Sequence, residues 1–137
     1  MNYIKKINSL KTGLKGEFSK TVGEADIVFF AGMTGNFDLS MVNEDFCNKI
    51  SLGSRIINPS LISGLILTAS QIVVGSGYIC QAQNTEFIMP IHLGDTIKAE
   101  AEIIETNEQE KTVTFTTRCF NDKKTLIAKG KLKLSQI

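Results

Sequence analysis

The hydrophobic pattern of the chain is dominated by one stretch without charge. No Asp, Glu, Lys or Arg lies between Ile56 and Thr85, although 21% of the 137 residues are charged. Inside this stretch leucine, isoleucine and valine recur at helical spacing on nearly all sides, which is typical of an enclosed helix. Asn58 is a favoured N-cap, Pro59 suits the first helical position, and Gly75 provides a stop. We therefore predict a central helix of about 16 residues, or ~24 Å.

A membrane is the first alternative to a protein core as the surroundings of this helix. A membrane span needs roughly 20 consecutive apolar residues, whereas Ser63, Thr68 and Gln71 interrupt the present run. The chain also opens without the charged leader and apolar segment of an export signal. Its three cysteines are widely spaced and form no C-x-x-C pair, as in proteins of reducing compartments. We therefore expect no membrane partner and a cytoplasmic location.

The hydrophobic period changes after Gly77 to the two-residue period of strands. In the last run, over residues 126–134, leucine, alanine and glycine alternate with lysine, as on a half-buried strand with a solvated outer face. Earlier runs have a similar composition, and turn residues such as Gly94-Asp95 and Asn121-Asp122 lie between the runs. We predict strands over residues 78–87, 97–104, 113–120 and 126–134.

The chain before the central helix mixes one strand with two shorter helices. Alternating side chains predict a strand over residues 14–20. Thr21 and Glu24 have capping-box spacing, which predicts a helix over residues 22–33. Asn43, followed by two acids, predicts the start of a second short helix. The residues between these two helices have no clear period, and we predict a loop there.

This order of elements is that of an α+β protein, because helices precede a run of antiparallel strands. One long apolar helix with about five strands predicts the hot-dog fold, in which an antiparallel sheet wraps around a central helix. The length suits a single domain over residues 1–137. The net charge of +1 gives no basic field for nucleic acid. One histidine and scattered cysteines give no metal-ligand spacing, so we expect no metal site and no cofactor.

Several short motifs carry a family resemblance. Residues 18–27 read FSKTVGEADI, residues 30–35 read FAGMTG, and residues 55–57 read RII. Residues 87–96 read FIMPIHLGDT, on the pattern F-x-x-P-V-x-x-G-D-T. In this order and spacing the motifs resemble those of the MaoC-like dehydratases, or (R)-specific enoyl-CoA hydratases, over roughly residues 14–135.

The resemblance implies a hot-dog domain that works as a dimer or as a double domain and takes an acyl thioester of CoA or of a carrier protein. The implied reaction is the reversible addition of water to a trans-2-enoyl thioester. Such a reaction needs a carboxylate and an imidazole around one water. It also needs hydrogen-bond donors for the thioester oxygen as charge develops on it. The family carries the carboxylate and the imidazole in one loop, G-D-x-N-P-x-H.

The corresponding loop here, residues 35–41, reads GNFDLSM. By the resemblance, Asn36 stands at the catalytic aspartate position and Met41 at the catalytic histidine position. An amide can position water but cannot accept its proton, and a thioether does neither. Asp38 is the one carboxylate left in the loop. It is either a displaced general base or a cap on a nearby turn.

The start of the central helix departs from the family in a third way. By the resemblance, Asn58-Pro59 stands where the family has His-Gly, and the N–H of that glycine is the oxyanion donor. Proline has no N–H. Ser60 and Ser63 lie in the first turns, where their hydroxyls either contact a thioester oxygen or bond locally. The predicted substrate-binding residues are thus Asn58, Pro59, Ser60 and Ser63, and we expect the N–H groups of Ser60 and Leu61 to be free.

Three functional hypotheses remain open from the sequence. The chain is a hydratase or dehydratase with a modified site, or a subunit that binds a thioester or completes a partner without doing chemistry. The third hypothesis is a hot-dog thioesterase, in which Glu44 or Asp45 serves as base or nucleophile. The position of these two acids at a helix start already explains them. His92 lies in a turn and is either catalytic or structural.

Overall fold

The computed structural model describes residues 4–137. Within that range a short 3-10 turn at Ile7–Ser9 precedes five strands and four α-helices. The predicted single domain also includes residues 1–3, which lie outside the described residues. The elements are β1 (Lys15–Thr21), α1 (Glu24–Thr34), α2 (Leu39–Val42), α3 (Glu44–Lys49), α4 (Ser60–Val74), β2 (Tyr78–Phe87), β3 (Thr96–Asn107), β4 (Thr112–Phe120) and β5 (Leu126–Gln136).

The five strands form one antiparallel sheet in the order β1-β3-β4-β5-β2. The long helix α4 packs against β1, β3, β2 and β4. This is the α+β hot-dog architecture that the sequence predicts. The alternation along β4 and β5 is also confirmed, because Phe115 and Leu132 are buried while Arg118 and Lys131 are exposed.

The central helix α4 buries one broad side in the core. Its buried residues are Ile62, Leu65, Ile66, Ala69, Ser70, Val73 and Val74. The opposite side is open, since Gly64, Gln71 and Ile72 are exposed. The prediction of an enclosed helix is therefore right for the sheet side only. The sheet curls around this helix without closing over it.

Three predictions about the first half of the chain are wrong. Thr21 does not cap α1, because β1 extends through Thr21 and the Thr21 hydroxyl bonds the Thr96 hydroxyl at 2.7 Å. The helix α1 starts two residues later than predicted, at Glu24, and the carboxylate of Asp26 accepts the N–H of Gly23 at 2.9 Å. The predicted loop after α1 also contains the four-residue helix α2.

Close contact between β1 and α4 depends on Gly16. A Cβ atom at Gly16 would lie 2.1 Å from the carbonyl oxygen of Ala69 and 2.9 Å from a methyl of Val73. Both contacts are far shorter than van der Waals distance, and the first is with helix backbone that cannot rotate away. A glycine at this strand position therefore sets how closely the sheet approaches its helix.

The first prediction concerns this contact. Gly16→Ala should lower the free energy of unfolding by ~3 kcal/mol, because overpacking forces β1 and α4 apart. Gly64→Ala is the matched control, since Gly64 lies within α4 and a Cβ there meets nothing within 4 Å. The control should raise stability by about 0.5–1 kcal/mol through helix propensity. Urea denaturation measures the free energy of unfolding of both variants. Equal stabilities of the two variants would contradict this packing.

Candidate functional site

The loop between α1 and α2 lies on the surface. Gly35 ends α1 in the left-handed conformation, at φ 76°, and its N–H donates to the carbonyl of Ala31 at 2.8 Å. Asn36 is exposed. Its side-chain oxygen accepts the N–H of Asp38 at 3.1 Å, and its own N–H donates to the hydroxyl of Thr34 at 3.2 Å. The Asn36 amide thus holds a local turn of the loop.

Asp38 caps the helix α2. Its Oδ1 accepts the N–H of Ser40 at 2.9 Å and also accepts the Ser40 hydroxyl. These two hydrogen bonds, the hydroxyl bond first, lower the pKa of Asp38 below its ordinary 3.8. A carboxylate that is stabilised in its charged form is a weaker base. The geometry is that of a cap, one of the two roles that the sequence leaves open for Asp38.

Met41 belongs to the hydrophobic core. Only 3% of its surface is exposed, and it joins the main cluster of buried residues. Asn36 and Met41 therefore lie in different environments, one at the surface and the other in the interior. A histidine at residue 41 with the same orientation would be a buried imidazole.

The start of α4 satisfies its own first N–H groups. The side-chain oxygen of Asn58 accepts the N–H of Ser60 at 2.9 Å, and the carbonyl of Asn58 accepts the N–H of Leu61 at 3.0 Å. The carbonyl of Pro59 accepts the N–H of Ile62, also at 3.0 Å. The expectation that the N–H groups of Ser60 and Leu61 are free is wrong. Pro59 has helical φ and ψ of −56° and −25°, which brings Asn58 over both donors.

The other two predicted substrate-binding side chains lie close by, on the first turns of α4. Ser60 is exposed and Ser63 is half-buried. The carbonyl of Ser63 accepts a long hydrogen bond of 3.4 Å from the side-chain amide of Gln83 on β2. The site is thus bordered on one side by β2, which the sequence reasoning did not include.

Residues 55–57 join the two parts of the candidate site. The N–H of Ile56 donates to the carbonyl of Ser40 in α2 at 3.0 Å. On the other side, the N–H of Ile57 donates to the carbonyl of Ile91 at 2.9 Å. The next residue is Asn58, the cap of α4. The structure therefore places α2 beside the segment that leads into the start of the central helix.

An apolar groove of about 270 Å³ runs between α1 and the first turn of α4. Phe29 and Met33 are each 68% exposed there, and Phe37 in the following loop is 62% exposed. We call this groove the α1 groove; its lining residues are Ala25, Asp26, Phe29, Phe30, Met33 and Leu61. So much exposed apolar surface is typical of a site that binds an apolar ligand or another protein.

The remaining candidates have local structural roles. Glu44 and Asp45 are exposed in the first turn of α3, which Asn43 caps by accepting the N–H of Phe46 at 2.9 Å. His92 holds a turn, because its N–H donates to the carboxylate of Asp95 at 2.9 Å. Its Nδ1 lies 2.8 Å from the hydroxyl of Ser54.

Among residues 4–137, no group of three metal-ligating side chains comes together. In the same part, the helices are too short or too polar to cross a membrane.

The second prediction concerns Asp38. Asp38→Ala should lower the free energy of unfolding by about 1 kcal/mol at pH 7, because α2 loses its cap. The pKa of Asp38 is lowered in the folded state, so the stabilisation by the charged form is complete above its ordinary pKa of 3.8 and is lost as pH falls further. The stability difference between Asp38→Ala and the unmodified protein should therefore narrow below about pH 4. Urea titrations at several pH values measure it, and a difference independent of pH would contradict this role.

The comparisons with known proteins agree with one another. The model of the MaoC like domain matches residues 5–124. The chain is 32% identical over 111 residues to an (R)-specific enoyl-CoA hydratase of Rhodospirillum rubrum, covering 80% of this chain and 77% of the relative. It is 30% identical over 126 residues to the (R)-specific enoyl-CoA hydratase of Aeromonas caviae, covering 89% of this chain and 92% of the relative.

A solved structure gives the same result. The R-hydratase PhaJ1 of Pseudomonas aeruginosa superposes with a TM-score of 0.89 at 26% identity, covering 97% of this chain and 86% of that chain. The motifs quoted from the sequence, the family model and the fold therefore point to one family. The chain is a hot-dog protein of the MaoC-like hydratase and dehydratase family.

Proposed function

We propose that this chain binds an acyl thioester between α2 and the start of α4 and does not hydrate it by the standard mechanism of its family. The N-terminus of α4 carries this proposal. There the N–H groups of Ser60, Leu61 and Ile62 are all occupied by Asn58 and Pro59. An oxyanion needs donors aimed at the position where its charge develops, and these three backbone N–H groups can donate to one only if the helix start loses its cap.

Proton transfer is another requirement of hydration that the site residues do not meet, besides stabilisation of the oxyanion. Hydration needs one group to take a proton from water and another to give one to the acyl chain. At the positions that the resemblance aligns with the family's aspartate and histidine, Asn36 offers an amide and Met41 a buried thioether. Asp38 is the nearest carboxylate along the chain, and it is engaged as the cap of α2.

The relatives and the groove beside α4 support a proposal for the substrate class. Two relatives at 30% identity or more are named (R)-specific enoyl-CoA hydratases. The α1 groove offers apolar surface beside the start of α4 that suits an acyl chain. We propose enoyl or 3-hydroxyacyl thioesters of CoA or of a carrier protein as ligands. Three free thiols, Cys47, Cys80 and Cys119, fit a cytoplasmic location.

A hydratase with a modified site is the second candidate. The observation in its favour is the 32% identity to an (R)-specific enoyl-CoA hydratase. In that case another carboxylate must act as base, and Asp38 is the candidate within the loop.

The third prediction separates the two candidates. The protein should bind crotonyl-CoA, as measured by calorimetry. The rate at which the enoyl group is hydrated should not exceed the uncatalysed rate. A MaoC-like hydratase with the intact G-D-x-N-P-x-H loop is the positive control. Hydration well above background that disappears in Asp38→Ala would contradict the proposal and support the second candidate. Absence of both binding and hydration would remove both candidates.

Restoring the family residues is the matched test of the same prediction. The variant combining Asn36→Asp, Met41→His and Pro59→Gly should hydrate crotonyl-CoA faster than the unmodified protein, because it regains the proton carriers and a donor. The variant that keeps Pro59 should gain less, since a missing oxyanion donor costs about 10²–10³ in rate. A folded triple variant without any gain would contradict the assignment of these three positions.

We also propose that two copies of the chain pair through β2. This strand is an edge of the sheet, and its one charged residue is Glu86. The other edge, β1, carries Lys15, Glu17 and Lys20. An unpaired edge with few charges invites pairing with another strand, and Ile79 on β2 is 57% exposed.

The fourth prediction tests this pairing. The unmodified protein should have twice the chain mass of 15.0 kDa in solution. Ile79→Lys should shift it to the single-chain mass, because a charge at the paired edge must be desolvated. Ile104→Lys is the control, since Ile104 is also exposed but lies on the inner strand β3. Light scattering after size-exclusion chromatography measures the mass of all three proteins in solution. A dimer that persists in Ile79→Lys would place the interface elsewhere.

A further inference from the structure

Arg55 lies where the segments of the candidate site meet. Its side chain is only 13% exposed. Nη1 and Nη2 donate to the two carboxylate oxygens of Glu24, at 2.6 Å and 2.9 Å, and Nε donates to the carbonyl of Met41 at 2.5 Å. One guanidinium thus joins the first turn of α1 to the last turn of α2.

The backbone of Arg55 extends this junction toward β3. Its carbonyl accepts the N–H of Leu93 at 2.8 Å, while the next residue, Ile56, donates to the carbonyl of Ser40. Three residues after Arg55 comes Asn58, which caps α4. Arg55 therefore contacts α1 and α2 directly, and its backbone leads within three residues to the cap of α4.

Within residues 4–137, the loop between α1 and α2 has no comparable anchor of its own. The hydrogen bonds within it, from Asn36 to Thr34 and from Asp38 to Asn36, join neighbours along the chain. The whole run of residues 32–39 is exposed. The loop is instead held through the elements on either side of it, and the Arg55 side chain bridges these two elements.

We propose that Arg55, held by Glu24, is the positioning residue of this site. It fixes α2 and the preceding loop relative to the start of α4, so that the binding surface exists before a thioester arrives. A planar guanidinium can make all three hydrogen bonds at once, whereas the ammonium of lysine cannot reproduce this fork. The proposal rests on the proposed function for its effect on a ligand, but the anchoring itself can be measured without one.

The fifth prediction tests the anchoring by hydrogen exchange of the full chain. In Glu24→Gln and Arg55→Lys, the amides of Met41 and Asn43 in and after α2 should exchange about tenfold faster, as expected when a charge-assisted hydrogen bond is lost. The amides of β4 should exchange at an unchanged rate. Two variants are used because Glu24→Gln also removes an acid from the first turn of α1, whereas Arg55→Lys keeps that acid.

Glu17→Gln is the matched control. It removes an exposed carboxylate that pairs with Lys15 at 3.1 Å and Lys98 at 3.2 Å on the sheet, and it should leave the α2 amides unchanged. Unchanged α2 exchange in Arg55→Lys, or an equal loss of protection in α2 and β4, would overturn the proposal.

The same variants are then titrated with crotonyl-CoA. The dissociation constant should rise about tenfold in Arg55→Lys and stay unchanged in Glu17→Gln, because a loosened site must be ordered at the moment of binding. If the unmodified protein does not bind crotonyl-CoA, the proposed function fails while the exchange result still decides the role of Arg55. Binding that is unaffected in Arg55→Lys would overturn the claim that the anchoring serves this site.

Discussion

The capping of α4 is the constraint on which both the fold and the site depend. A helix leaves its first N–H groups without partners inside the helix, and they must be satisfied where it begins. Here Asn58 and Pro59 do so with three hydrogen bonds at the helix start. The solution stabilises the element around which the sheet curls. It also occupies backbone donors at the helix start, and under the proposed function the same residues that stabilise the fold withhold these donors from a thioester oxygen.

The sheet and the helix then fix each other's position. Gly16 allows β1 to lie against the backbone of α4 at Ala69, and α4 fills the concave side of the sheet with aliphatic side chains. Apolar side chains that the core does not bury lie at its border, in the exposed loop after α1 and in the α1 groove. Function in this family member is thus expected at the edge of the core, where Arg55 joins α1 to α2.

The sequence predicts the parts of this structure that rest on period and local chemistry. The strands follow from alternation, and the central helix from its apolar run and from Asn58. The helix α2 is missed because four residues, Leu39–Val42, are too few to show a helical period. The cap at Thr21 is wrong because pairing with β3 keeps Thr21 in a strand, a contact across 75 residues that no local pattern reveals.

In the candidate site too, the sequence predicts local features and misses those that depend on distant contacts. Through the resemblance, the sequence predicts that Asn36, Met41 and Pro59 depart from the family, but it does not reveal that Met41 is buried. The occupied N–H groups were within reach of sequence reasoning, because a good N-cap accepts the very donors that were expected to be free. The role of Arg55 could not be found from the sequence, since its partners Glu24 and Met41 lie 31 and 14 residues away along the chain.

A structure of the protein with crotonyl-CoA tests the central claim most directly. The account predicts an intact enoyl thioester beside α4, with the hydrogen bonds of Ser60 and Leu61 to Asn58 unbroken. A thioester oxygen that accepts from either N–H, or a hydrated 3-hydroxyacyl group in the site, would contradict it.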